Sequence, residues 1–274
     1  MDPQGQNGTA SPAAWPHDLR LAVLGSGSSG NCTYVEADGY GLLIDAGLSA
    51  KATKERLAAL DIPFSRVRGV CVTHEHKDHT RGIPQLHKQL GIDLFANFGT
   101  AQIVDPTLPW LYFQTGCAFG AGPFAVTPFN LPHDAMDPVG FLLEYGGVRI
   151  GFATDLGMPT TLVRTVLRTC TALVLESNHE VSLLRASSRP PRTIQRILSR
   201  QGHLSNDTAA DLLAEIAAAD HALQHVFAAH LSHECNRCEL ALDALRRAVA
   251  RVGRPDILVH PTFPDHPSDL LAFS

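Results

Sequence analysis

The sequence predicts an α/β protein built as a four-layer αββα sandwich, and three observations favour that fold class. Short apolar runs alternate with turn residues from Leu19 onward, which is typical of strands. The runs form two groups, each closed by helical sequence. No internal repeat or linker interrupts residues 19–274, so we expect a single domain there. Two packed sheets with helices on both outer sides would bury the apolar faces of such elements.

Residues 1–18 are expected to form a disordered lead-in, because Gly, Pro, Ser and Asn are frequent among them. They lack the basic start and apolar run of a secretory signal. No stretch of the chain reaches the roughly 18 consecutive apolar residues of a membrane span. The six cysteines are scattered and are expected to be reduced thiols. These features predict a cytoplasmic protein with no membrane partner, and they leave its oligomeric state open.

The expected elements follow the chain in order. Strands are predicted at 19–24, 32–36, 41–44, 69–73 and 93–96, and then at 124–129, 139–145, 149–153 and 172–175. A hairpin turn is predicted at 144–147, which contains two glycines. Sequence after residue 175 is expected to be mostly helical. Helices are predicted at 50–60, 83–90, 159–168, 191–200, 206–219 and 238–252.

Composition limits the partners of the protein only loosely. The net charge of −5 and pI near 6.2 argue against a surface coated with positive charge for nucleic acid. They do not exclude a local basic strip. Fourteen histidines are an unusual number and favour metal chemistry only if their positions agree. The placement of the histidines therefore has to decide the question.

A run of polar side chains directly after an apolar strand carries the strongest chemical signal. His74 and His76 lie two apart in extended backbone, so both project to the same side and can hold one cation. Asp78 and His79 lie where the chain turns toward a helix and can hold a second cation. Imidazole nitrogen and carboxylate oxygen suit zinc, manganese or iron. A histidine-rich solvated turn would be the alternative interpretation.

These residues form the pattern HxHxDH, and the chain resembles the metallo-β-lactamase superfamily, whose first motif has that form. Its details are most similar to the YycJ-like (WalJ) branch, whose members resemble exonucleases acting on DNA. The matching stretches are LGSGSSGN (24–31), LLIDAGLS (42–49), THEHKDH (73–79), LPHDA (131–135), FATDLG (152–157), ESNHE (176–180), GHLSN (202–206) and AHLS (229–232). The resemblance extends from Leu21 to about residue 245.

The resemblance implies a complete set of metal ligands. His133 and Asp155 each follow a predicted strand, and they match the third ligand of the first ion and the carboxylate shared by both ions. His230 matches the closing ligand of the second ion, although His260 also ends an apolar run and remains an alternative. The implied ligands are His74, His76 and His133 for one ion and Asp78, His79 and His230 for the other, with Asp155 shared.

Other motifs allow more than one interpretation. Asp45 would accept the spare N–H of a metal-bound histidine and fix its ring, or would only form a turn before Gly47. The segment 25–30 (GSGSSG) lacks a following helix or Walker lysine, so we interpret it as a turn at the rim of the site that could contact substrate. The lone CxxC at 235–238 has no second pair, and a structural zinc is the weaker interpretation.

Candidate residues for catalysis and substrate binding complete the site. Besides Asp78, we expect His179 and His203 to bind the substrate phosphate or protonate the leaving oxygen, since a histidine titrates near neutral pH. A surface role is the alternative for both. Arg192 and Arg196 are the candidate substrate-binding residues, in a stripe with Arg189 and Arg200 on the helix predicted at 191–200. The stripe would be a rail for phosphates or only a solvated helix face.

The resemblance implies a hydrolase with two divalent ions, Zn²⁺, Mn²⁺ or iron, that acts through metal-activated hydroxide. The leading hypothesis is a phosphodiesterase or exonuclease that acts on DNA, with RNA as the alternative nucleic acid. The same kind of metal site serves a small-molecule hydrolase acting on a cyclic phosphodiester, thioester or lactone. A scaffold that keeps metal only for folding is a third hypothesis, and the complete ligand set argues against it.

Overall fold

The computed structural model describes residues 18–219 and 222–273, so the predicted lead-in lies outside the described residues except for Asp18. The strands are β1 (Arg20–Gly25), β2 (Cys32–Ala37), β3 (Tyr40–Ile44), β4 (Val67–Cys71), β5 (Asp93–Ala96), β6 (Trp110–Tyr112), β7 (Phe119–Ala121), β8 (Phe124–Asn130), β9 (Val139–Tyr145), β10 (Val148–Ala153), β11 (Ala172–Glu176), β12 (His225–Ala229), β13 (Leu258–His260) and β14 (Leu271–Ala272). The helices are α1 (Ala50–Ala58), α2 (Lys77–Thr80), α3 (Ile83–Leu90), α4 (Phe98–Val104), α5 (Thr161–Leu167), α6 (Val181–Ala186), α7 (Pro191–Ile197), α8 (Asn206–Ala219) and α9 (Cys238–Arg251).

The strands of the described residues form two seven-stranded sheets. The first has the order β14-β1-β2-β3-β4-β5-β6 and the second has the order β13-β12-β11-β10-β9-β8-β7. Each sheet is antiparallel in one half and parallel in the other, from β3 to β6 and from β10 to β13. Parallel neighbours need crossover connections, which the intervening helices supply. The carboxyl ends of the parallel strands in each sheet therefore lie at one edge.

Buried apolar side chains divide the molecule into layers. Phe124, Phe141 and Phe227 belong to a cluster that lies between the two sheets. Leu57 of α1 belongs to a second cluster on the outer face of the first sheet. Leu213 of α8 belongs to a third cluster, shared with α9, on the outer face of the second sheet. Burial of both faces of both sheets confirms the predicted four-layer αββα sandwich.

Local sequence accounts for the hairpin between β9 and β10. Tyr145 pairs directly with Val148, so the connection has two residues, Gly146 and Gly147. Their φ angles are 54° and 84°. A two-residue loop with positive φ at both positions matches the right-handed twist of the flanking strands, and glycine adopts it without steric cost. The turn predicted at 144–147 is confirmed.

The later part of the chain is mostly helical as predicted, with α6, α7, α8 and α9, but two features of it were predicted wrongly. The strands β12 and β13 were not predicted, and they extend the second sheet as parallel strands. The helix predicted at 191–200 ends at Ile197, because the chain folds back against its own end. A Cβ on Gly202 would lie 2.1 Å from the carbonyl oxygen of Ile197, so only glycine permits this close approach.

All six cysteines are free thiols, as the composition predicts. Within the part of the chain that the structure describes, none of the helices is both long enough and apolar enough to cross a membrane.

Candidate metal centre

The predicted ligands come from both sheets and lie just beyond the ends of strands. His74 follows β4, and His133 follows β8. Asp155 and His230 follow β10 and β12. The four residues are each at most 3% exposed. The packing of the two sheets therefore brings residues from distant parts of the sequence into one buried cluster.

The backbone is left-handed at three residues that follow strands at this edge of the sheets. The φ angles are 62° at Asp45, 60° at Asp155 and 56° at His230. Such angles are uncommon for residues other than glycine and cost roughly 1–3 kcal/mol each. Tertiary hydrogen bonds maintain them, for example from the His230 N–H to Oγ of Ser26 at 2.6 Å. Strained backbone of this kind concentrates at functional sites, where it directs side chains.

The first set of candidate ligands is His74, His76 and His133, which contribute one nitrogen each, all within 4.8 Å of one another. Nε2 of His74 and Nδ1 of His76 are 3.0 Å apart. Nδ1 of His133 lies 3.1 Å from the carbonyl oxygen of Gly202, to which it donates. That bond leaves Nε2 of His133 for the cluster, in the manner of histidines that bind metals.

The second set is Asp78, His79 and His230, whose ligand atoms also lie within 4.8 Å of one another. Nδ1 of His79 is 2.7 Å from Oδ2 of Asp45, and Nδ1 of His230 is 2.8 Å from Oε1 of Glu176. Both Nε2 atoms lie 3.6 Å from Oδ2 of Asp78. Each ring is therefore held by a carboxylate on one side and presents its other nitrogen to the cluster.

Asp155 lies between the two sets. Its Oδ1 is 3.5 Å from Nε2 of His133, and its Oδ2 is 3.0 Å from Nε2 of His79. Burial alone would raise the pKa of this carboxyl, but the imidazoles of His230 and His79 outweigh burial and hold the pKa well below its usual range. Asp155 is therefore a carboxylate whose oxygens lie close to ligands of both sets.

The donor atoms of the cluster fit divalent cations. Nε2 of His133 and Nε2 of His230 are fully buried and have no hydrogen-bond partner among the described residues. A buried polar atom without a partner costs about 1–3 kcal/mol, which a bound ion would relieve. Imidazole nitrogens with carboxylate oxygens are ligands that zinc and manganese accept. The donor atoms of the cluster are therefore of the kind that binds divalent metal ions.

The structure separates His230 from its alternative, His260. Nε2 of His260 lies 3.1 Å from Nδ1 of His225, and its ring stacks on Phe227 with centroids 4.5 Å apart. His260 is in neither ligand set. His230 lies in the set with Asp78 and His79, as the resemblance implies, and His233 is exposed beyond it.

Glu176 is a site residue that sequence reasoning did not identify. It is the last residue of β11 and is fully buried. Its Oε1 lies 2.9 Å from Nδ1 of His203 and 2.8 Å from Nδ1 of His230. Burial would raise the pKa of Glu176, but the two imidazoles lower it to about 2. A carboxylate at the end of the otherwise apolar strand ALVLE was the sequence feature that could have identified Glu176.

His203 and His179, both predicted to be catalytic, are placed differently. His203 lines the cleft beside the metal cluster, with its side chain 13% exposed. The ring of His179 is buried, does not line the cleft, and has no hydrogen-bond partner for either nitrogen among the described residues. Burial lowers the pKa of His179 to about 4. A backbone bridge to Ser205 holds His179 beneath the site, contrary to the predicted catalytic role.

The predicted arginine stripe is not continuous. Arg189 and Arg196 line the cleft of about 210 Å³, whereas Arg192 is exposed outside it. Nη2 of Arg196 lies 2.8 Å from Oδ1 of Asp134, beside His133. Arg200 lies beyond the end of α7, because the helix stops at Ile197. Only Arg196 of the two predicted substrate-binding arginines faces the site.

The GSGSSG segment supports the cluster and borders the cleft. Ser26 holds the His230 backbone, and Ser28 lines the cleft. The neighbouring Asn31 places Nδ2 at 3.3 Å from Oδ2 of Asp78, so it is a second site residue that sequence reasoning missed. The CxxC pair does not form a metal site with other described residues, and Cys235 packs instead against Leu184.

Comparisons with known proteins agree with this geometry. Residues 40–226 match the family described as Beta-lactamase superfamily domain. Exodeoxyribonuclease YycJ of Bacillus anthracis is 32% identical over 92% of this chain and 98% of its own. Exodeoxyribonuclease WalJ of Streptococcus pneumoniae (strain R6) is 33% identical over 90% and 95%. The metallo-β-lactamase fold protein YhfI of Bacillus subtilis aligns with a TM-score of 0.66 at 17% identity, covering 91% of this chain and 99% of that one.

The fold and the site thus define a hydrolytic enzyme of the metallo-β-lactamase class. The chain belongs to the metallo-β-lactamase superfamily and, within it, to the group of YycJ-like (WalJ) proteins.

Proposed function

We propose that this protein is a phosphodiesterase that uses two divalent metal ions and degrades DNA as an exonuclease. The observation that carries the proposal is the pair of three-residue ligand sets with Asp155 between them. Two-metal sites of this kind suit in-line displacement at phosphorus, because the two non-bridging oxygens of a phosphodiester can be held together. The relatives named exodeoxyribonuclease support DNA as the substrate.

In this proposal the ions are zinc or manganese. One would be held by His74, His76 and His133, and the other by Asp78, His79 and His230, with Asp155 shared. Divalent ions supply a water of lowered pKa and withdraw negative charge from the phosphate. The chain supplies the geometry, because Asp45 and Glu176 fix the rings of His79 and His230.

Proton transfer is assigned to residues at the cleft. His203 lies at the cleft wall, and Glu176 accepts a hydrogen bond from its Nδ1, so Nε2 is free to give a proton to the leaving oxygen. Asp78 lines the cleft, and its side chain is 27% exposed, so its carboxylate can accept a proton from an attacking water. The two groups lie on the same cleft and would serve the two sides of an in-line displacement.

A panel of substrates tests the proposed function. The purified protein with added Mn²⁺ or Zn²⁺ is expected to degrade end-labelled single-stranded DNA from one terminus. Slower or undetectable turnover is expected for RNA, a cyclic nucleotide, a thioester and nitrocefin. Faster hydrolysis of the cyclic nucleotide or thioester than of DNA would favour the small-molecule alternative. Products of internal length would contradict the exonuclease assignment.

Arg196 is expected to contribute to DNA binding through one phosphate. Its guanidinium lines the cleft, where a substrate phosphate would compete with Asp134. For single strands each phosphate contact contributes about 0.7 to the slope of log affinity against log salt. Arg196→Ala should therefore flatten the measured slope by about 0.7.

Arg192→Ala is the matched control on the same helix, since Arg192 is exposed outside the cleft. It should leave the slope unchanged, as measured by fluorescence anisotropy across a salt series. An equal decrease of the salt slope in Arg192→Ala and Arg196→Ala would instead support the predicted phosphate-binding stripe along the helix face.

A further inference from the structure

A second pocket lies directly beside the metal cleft and has no role in the proposed chemistry. It has a volume of about 370 Å³. We call it the side pocket, and its wall includes Leu231, Ser232, His233, Arg237, Phe263 and Pro264. Ser232 lines both the side pocket and the cleft. Ser232 is two residues from His230, a backbone reach of at most about 7 Å. The side pocket therefore adjoins the position of the reacting phosphate.

The wall of the side pocket combines an aromatic ring with positive charge. Phe263 is half-buried and stacks on His266 with ring centroids 4.0 Å apart. Arg237 is exposed and donates to the carbonyl oxygen of Asn236 at 2.6 Å, and it forms no ion pair within the described part of the chain. No Asp or Glu among the described residues lines the pocket. Among the residues that the structure describes, the guanidinium of Arg237 is therefore the one permanent charge on the pocket wall, and with Phe263 it favours an anion that has an apolar, planar part.

We propose that the side pocket binds the nucleotide next to the scissile phosphate, with its base against Phe263 and its phosphate at Arg237. The proposal rests on the proposed nuclease function and names the subsite that would hold the chain end. Base–aromatic stacking is tolerant of sequence, since every base has a π-face. The volume of about 370 Å³ falls within the range of pockets that bind small ligands.

The side pocket includes residues from segment 260–266, which contributes no ligand to the candidate metal sets of the described residues. The segment 260–266 lies after the stretches that carry the family resemblance, and it supplies Phe263. The carbonyl oxygen of Phe263 accepts a hydrogen bond from the N–H of Ser26 at 3.0 Å. Because Ser26 also holds the His230 backbone, the aromatic wall is fixed relative to the metal centre.

The test compares labelled single-stranded DNA that has intact ends with the same strand lacking the base at its 5′ or 3′ terminus. Wild-type kcat/KM should fall by about 5- to 150-fold for one of the two base-deficient ends, the range expected from base stacking. Phe263→Leu keeps the apolar volume but removes the ring, and it should abolish this discrimination.

Arg237→Gln should raise KM for DNA, whereas Arg247→Gln on the solvent side of α9 should not. Turnover of methyl p-nitrophenyl phosphate, whose non-leaving group has no ring to stack on Phe263, should be unchanged in all three variants.

The outcomes separate the subsite from the function. Cleavage of DNA with wild-type discrimination in Phe263→Leu and unchanged KM in Arg237→Gln would overturn the side pocket and leave the nuclease proposal intact. A wild-type protein that hydrolyses the small phosphodiester but no DNA would overturn both proposals. If Phe263→Leu loses turnover of the small substrate through misfolding, the exposed Arg237→Gln variant decides alone.

Discussion

Replacing His230 with alanine is expected to remove one of two bound ions and to reduce DNA turnover by more than about 100-fold. Residues that only support metal ligands account for roughly 10- to 100-fold in affinity or activity, so loss of a ligand should exceed that range. His230 contributes Nε2 to the set with Asp78 and His79, and its Nδ1 is held by Glu176. Elemental analysis should show about two metal ions per wild-type chain and about one in His230→Ala.

His260→Ala is the matched control for that experiment. Both histidines come from the parallel half of the second sheet, but His260 contacts His225 and Phe227 outside the cluster. We expect metal content and kcat/KM near wild type in His260→Ala. Added metal should raise the unfolding temperature of wild type and His260→Ala more than that of His230→Ala, because binding to the native state stabilises it. The reverse ranking of the two variants would show that the second ligand set is wrong.

Replacing His203 with alanine is expected to slow DNA hydrolysis by about 10²- to 10⁴-fold, the usual contribution of a general acid. The alkoxide that leaves from DNA needs a proton, and in the proposed mechanism His203, which lines the cleft, provides it. A p-nitrophenolate leaving group needs no proton. Turnover of bis(p-nitrophenyl) phosphate by His203→Ala should therefore stay within a few-fold of wild type, as measured by parallel kinetics on the two substrates.

Glu176→Gln distinguishes proton donation from a general loss of site structure. Glu176 contacts both His203 and His230, so this variant should slow both substrates. Equal losses on DNA and on the chromogenic substrate in His203→Ala would contradict the role of His203 as an acid. They would indicate instead that His203 only supports the arrangement of the cluster.

The experiments on His203 and Glu176 depend on the contact between these two residues, which the sequence did not predict. His203 was identified as a candidate, but its partner Glu176 was not, because 27 positions separate them along the chain. His179 was predicted on equal grounds, and it is buried beneath the site. His179 and His203 lie in two different family motifs and had equal sequence support, and only their packing distinguishes them.

The positions of the arginines also depended on packing that the sequence did not predict. Helical spacing predicted a single face for Arg192, Arg196 and Arg200, but α7 ends at Ile197, where the chain folds back at Gly202. Arg196 alone of the three lines the cleft, and it is paired there with Asp134. Helix propensity could not anticipate this ending, because the chain that folds back on the helix is a tertiary contact.

The sequence by itself predicted the four-layer fold and the two strand groups, and it placed His74 and His76 on one side of an extended segment. These predictions need only local sequence, since alternation in a strand fixes which side chains share a face and apolar runs mark the buried elements. The choice of His230 over His260, the sharing of Glu176 by two histidines, and the joining of the side pocket to the cleft were decided by tertiary structure. Each depends on how two sheets and their connecting loops pack, and backbone strain at Asp155 and His230 is maintained only by that packing.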